Sequence, residues 1–168
     1  LQVNCAGGTQ STWIGPVTFK TPCLSALAGT YTIGGPAGAN NFATLDSAIS
    51  VLNGCGVSAP VVFNFAGGAS YSGATMTAIT GASATNTITF NGNTTNPDTL
   101  GALVLDGPDY LTFNNVYFRD PNGFVVRLTN AADHVTFDGC TFEASTTTTS
   151  TLSAGLVATG SATSASTT

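Results

Sequence analysis

A repeat constrains this chain more than any other feature. Residues Val135 to Phe142 (VTFDGCTF) restate Leu111 to Phe118 (LTFNNVYF) at an offset of 24 residues, and Ile88 to Gly92 (ITFNG) begins the same phrase 23 residues earlier. Within each half of the phrase apolar residues alternate with polar ones, which is the two-residue period of a strand with one buried face. The alternation slips at Asn114-Asn115 and Asp138-Gly139, so each copy reads as strand, bend, strand. Such units at a fixed spacing predict a right-handed parallel β-helix, a solenoid in which equivalent residues stack. Asn91, Asn114 and Asp138 then share one position, where amide side chains hydrogen-bond along the stack as a ladder.

Composition narrows the partners. The 168 residues are 42% hydrophobic, enough for a real core, yet only 7% are charged. A net charge of −5 with three basic residues cannot neutralise a run of phosphates, which excludes nucleic acid and anionic membrane surfaces. No apolar run is long enough to insert into a membrane. A surface of Thr, Ser and Asn suits a secreted or cell-surface protein. The chain begins at Leu1 with neither Met nor a signal peptide, the expectation being a processed product or an excised piece.

Along the chain, residues 1–23 alternate as two strands around a Gly-rich turn, with Trp13 and Pro16 in the second. Residues 24–29 read as a linker and 30–168 as the β-helix domain, incomplete at its C-terminus. Phe42, Leu45, Ile49 and Leu52 carry the one helical period, with Asn41 or Thr44 as N-cap and Gly54 as stop. This amphipathic helix is expected to cap the first coil. Strands follow at Pro60–Phe65, Met76–Ile79, Thr87–Phe90, Leu103–Leu105 and Val125–Leu128, with 93–98 as an exposed loop. The tail from Glu143 is Thr/Ser-rich, with a strand-like island at 154–159.

Two resemblances accompany this reading. Residues 1–23, with Trp13, Gly15-Pro16-Val17 and Thr21-Pro22-Cys23, resemble the last two strands of a fibronectin type III-like sandwich, here a remnant without its other strands. Leu27 to Gly35, the helix Phe42 to Leu52, Gly56 to Asn64 and Ile79 to Phe90 are together similar to a β-helix family of very large Bacteroidota surface proteins. That family is exported by the type IX system, often beside fibronectin-like modules. The resemblance implies an extracellular, adhesin-like multidomain protein and carries no catalytic motif with it.

Candidate sites are few. Asp109 and Asp133, 24 residues apart, are expected to stack, with Asp106, Arg127 and His134 near in sequence. Paired carboxylates can hold Ca²⁺ or act as acid and base on a glycoside, but Asp before a strand more often bonds its own turn. No cofactor is expected, Ca²⁺ at this pair being the open alternative. Asp46-Ser47-Ala48 and Asp98-Thr99-Leu100 resemble the Bacteroidota O-glycan acceptor, making Ser47 and Thr99 candidates and the loop at Asp98 an accessible one. Cys5, Cys23, Cys55 and Cys140 include no CxxC pair. Cys23 and Cys55 flank the first strand and the helix, so a disulfide there would pin the cap, while Cys140 is expected as a buried free thiol.

The functional expectation is a non-enzymatic structural or adhesive segment whose partners are glycans or surface proteins. A polysaccharide lyase or glycoside hydrolase using Asp109 and Asp133 is the enzymatic alternative. A filament subunit joined to its neighbours by strand addition at both ends is the third, set against a segment of a giant chain.

Overall fold

The computed structural model describes residues 25–121, 123–144 and 154–158. The expected fibronectin-like strands at 1–23 lie outside them. Fourteen strands and one helix follow in chain order. They are β1 (Leu27–Ile33), β2 (Asn41–Phe42), α1 (Leu45–Cys55), β3 (Val57–Phe65), β4 (Ser70–Tyr71), β5 (Ala74–Thr77), β6 (Ile88–Asn91) and β7 (Thr99–Leu100). Then come β8 (Leu103–Asp106), β9 (Leu111–Asn114), β10 (Tyr117–Asp120), β11 (Phe124–Thr129), β12 (Val135–Asp138), β13 (Thr141–Ala144) and β14 (Ala154–Ala158).

These elements correct the fold expectation. In place of a right-handed parallel β-helix, the strands form three separate parallel sheets that do not curl, accompanied by one short helix. The sheets run β12-β9-β6-β3-β1-β2, β13-β10-β7-β4 and β14-β11-β8-β5. The physical reason lies in what a repeat specifies: it dictates which residue sits beside which on neighbouring strands, and says nothing of how sheets are set against each other. Register is accordingly regular. Ile88, Leu111 and Val135 are successive partners, as are Phe90, Phe113 and Phe137. Before residue 57 the repeat is broken, because β2 lies outside β1 and the helix intervenes.

The core sits on the inward faces. Phe63, Phe90, Phe113 and Phe137 form a column of stacked rings with centroids 4.8, 5.1 and 5.2 Å apart and planes turned by 16°, 12° and 10°. Phe118 and Phe142 begin a second column beside it, stacked at 5.4 Å and meeting the first edge-on. Phe63, Phe90 and Phe118 are wholly buried. Each such ring removes some 150–250 Å² from water, so the columns carry much of the stability.

Helix α1 starts three residues beyond Phe42. Thr44 caps it, its hydroxyl accepting the Ser47 N–H at 3.2 Å while the Thr44 N–H donates to Ser47 Oγ at 3.3 Å, a reciprocal box that fixes the start. Phe42 fits the helical period but belongs to β2, where it packs on Tyr31 and Phe63. Gly56, at φ 67°, ends the helix, and its N–H donates to Leu52 O. Leu45, Ala48, Ile49 and Leu52 are buried against the sheets, chiefly toward β5 and β1. No helix among the described residues is long and apolar enough to cross a membrane.

Candidate functional site

The turns entering β9 and β12 bring together the residues that the repeat aligns. Asp109 Oδ1 accepts the backbone N–H of Asp133 at 2.7 Å, and the ring of His134 stacks on that of Tyr110 at 4.6 Å with 16° between planes. Tyr110 and His134 both adopt left-handed backbone, at φ 58° and 52°. The carboxyl of Asp109 therefore ties one turn to the next. Asp106 is engaged in the same way, accepting from Thr129 Oγ1 at 2.8 Å and from the Asn130 amide. Arg127 makes no ion pair with these acids, its Nε being buried without a hydrogen-bond partner. Arg119 pairs instead with Glu143 at 3.1 Å, which also accepts from the Tyr117 hydroxyl. That bridge is about half exposed, so it contributes no more than about 1 kcal/mol. Among the described residues no group of three or more His, Cys, Asp or Glu side chains is arranged to hold a metal ion.

The amides at the end of the repeated strand meet. Asn91 Nδ2 donates to Asn64 Oδ1 at 2.9 Å, and Asn114 Nδ2 donates to Asn91 Oδ1 at 2.9 Å. Asn64 extends this ladder one rung before the repeat is legible, because Val61 to Asn64 pairs with β6 although its wording differs. Asp138 holds the register position next to Asn114, and it is exposed.

Asp98 departs most from expectation. The loop at 93–98 was expected to offer it to solvent, yet it is 3% exposed. Its Oδ1 accepts the Ala69 N–H at 3.0 Å, with the Gly67 N–H also directed at the carboxyl, while Oδ2 is buried without a partner. Burial pushes this carboxyl above the usual range, and the two amide donors oppose the rise. Tyr71 lies close enough that burial, followed by the charge of Asp98, raises its phenol as well. The approach is tight: a side chain on Gly67 would meet the Asn93 amide at 2.7 Å and Asn96 O at 2.8 Å. Thr99 is half-buried in β7, between Ser70 and Tyr117. Ser47 spends its hydroxyl on Thr44 O at 2.7 Å, inside the helix cap.

Cys140 is a free thiol, half-buried where burial was expected to be complete. Its S–H donates to Phe113 O at 3.2 Å, and burial raises it above an ordinary thiol. Cys55 is disulfide-bonded, whereas Cys5 and Cys23 lie outside the described residues. Sequence reasoning missed Tyr71 and the Asn64 rung, and set Asp98 in an accessible loop where the structure buries it. The signal for the rung was present in Val62 to Asn64, whose outward pattern matches Thr89 to Asn91. No protein-family model, curated protein or solved structure matches this chain.

Proposed function

We propose that this chain is a non-enzymatic structural or adhesive segment of an extracellular or cell-surface protein, a rigid body that presents its outer faces and loops to glycans or surface proteins. The observation that carries the reading is the use made of Asp109. Its carboxyl accepts a backbone N–H from the neighbouring turn, which is a structural duty, and a carboxylate so engaged is poorly placed to share a glycosidic bond with Asp133. A disulfide at Cys55 supports an oxidising compartment. The resemblance to Bacteroidota surface proteins points the same way.

A glycan screen tests the proposal. The chain is expected to release no product from pectin, alginate or neutral glycans, and to be retained by a subset of immobilised glycans or bacterial surfaces. Turnover that disappears in Asp133→Asn would establish the enzymatic alternative in its place.

A further inference from the structure

The outer face of the six-stranded sheet is a regular lattice. Opposite the phenylalanine column, register aligns Thr30, Val62, Thr89, Thr112 and Thr136 in one rank. Thr32, Asn64, Asn91, Asn114 and Asp138 form a second rank beside it. Successive members of a rank are one strand spacing apart, about 4.8 Å, and the ranks lie about 6.6 Å apart, twice the rise of a parallel strand.

The lattice is regular. Register runs without a break over the three steps from β3 to β12, and the side-chain stacks and ladders that hold a sheet against twisting are present on both sides, rings inside and amides outside. The lattice is also rigid, because threonine and valine are stiff at χ1 and the asparagines are held by one another.

What such a face can recognise follows from its chemistry. It carries no charge until Asp138 at its margin, so a charged polymer has nothing to pair with. It presents no aromatic ring on which a sugar could stack, since the aromatics of these strands point inward. It offers methyl groups and fixed hydroxyls and amides at two constant spacings, and these order water: methyls restrict the orientation of first-shell molecules while hydroxyls and amides anchor them. An uncharged, periodic array complements an uncharged, periodic solid, and the spacing along a rank lies near the shorter oxygen repeat on a prism face of hexagonal ice.

We propose that the Thr/Asn face of the six-stranded sheet binds ice. The face holds a patch of water in the lattice arrangement, and that patch merges with the crystal. This does not depend on the adhesive reading, since it concerns a solid and a face that the glycan screen does not probe.

Partition of the full chain between a slowly growing ice front and the remaining liquid tests it, together with the shape of single crystals grown in its presence. The chain is expected to be enriched in the ice and to facet the crystals. Thr112→Tyr, a bulky group at the centre of the first rank, is expected to abolish both effects. Thr136→Tyr, at an exposed position where a ring is more easily accommodated, is expected to weaken them, and Thr75→Tyr on a different sheet to leave them intact. Exclusion of the chain from ice to the same degree as an unrelated protein overturns the proposal. So do full enrichment of the folded Thr112→Tyr and Thr136→Tyr variants, and retention on crystalline cellulose or chitin with exclusion from ice.

Discussion

Substituting Asp98 separates two contributions that a buried carboxyl makes. Asp98→Ala removes the acceptor of the Ala69 N–H and the group toward which the Gly67 N–H is directed. Leaving a buried donor unsatisfied costs about 1–3 kcal/mol. Both residues are only half-buried, so the lower end applies to each, and a loss of about 2–3 kcal/mol is expected. Asp98→Asn keeps an acceptor for those amides and exchanges the partnerless Oδ2 for a neutral amide, so it is expected to lie within about 1 kcal/mol of the parent at pH 7. The pH dependence gives the sharper test. The folded carboxyl is raised above its ordinary 3.8, so its contribution to stability is complete below that value and is lost as pH climbs through the raised folded value. Acidifying from pH 7 toward 4 should therefore improve the parent relative to Asp98→Asn. Urea denaturation followed by far-ultraviolet circular dichroism, repeated across that range, measures both effects. A parent that loses ground to Asp98→Asn on acidification, or an Asn variant as damaged as the Ala variant, would refute the reasoning.

Asn91→Asp keeps the shape of the ladder but turns the donor facing Asn64 into a second acceptor, with an expected cost of about 1–3 kcal/mol in the urea midpoint, whereas Thr89→Ser on the same strand should cost less than 1 kcal/mol. Peptide mapping without reduction is expected to join Cys55 to Cys23; a fragment joining Cys55 to Cys5 would contradict the pinning of the helix as argued.

Much of the local order was legible because it is written in side-chain period. The phrase shared by residues 88–92, 111–118 and 135–142 announces which residues pair, and their partners are found at those positions. The setting of the sheets was not legible, since alternation identifies an inward face without saying what lies opposite it. Asp98 was misjudged for a different reason. A carboxyl among Asn, Thr and Pro reads as solvent-exposed, and its burial depends on amides at Gly67 and Ala69, some thirty residues away, that no local pattern reveals. Strand β7 was hidden by the same loop, two residues long and directly after Pro97-Asp98. The helix start shifted because periodicity alone counts Phe42 as helical, whereas the Thr44–Ser47 box decides where the backbone turns.

Asn53, near the end of α1, gives the four-stranded sheet ending in β5 a direction. Its amide nitrogen donates to Thr75 O at 2.9 Å and its amide oxygen accepts the Thr77 N–H at 3.0 Å, so one side chain occupies two backbone groups that a further strand would need. A sheet edge left open is a template for whatever extended segment arrives first. Plugged by a helix-borne amide, the β5 margin cannot be copied or extended. Any accretion on this sheet, during folding or afterwards, is one-way, proceeding from the margin away from the helix, as a zip does once its lower end is stitched.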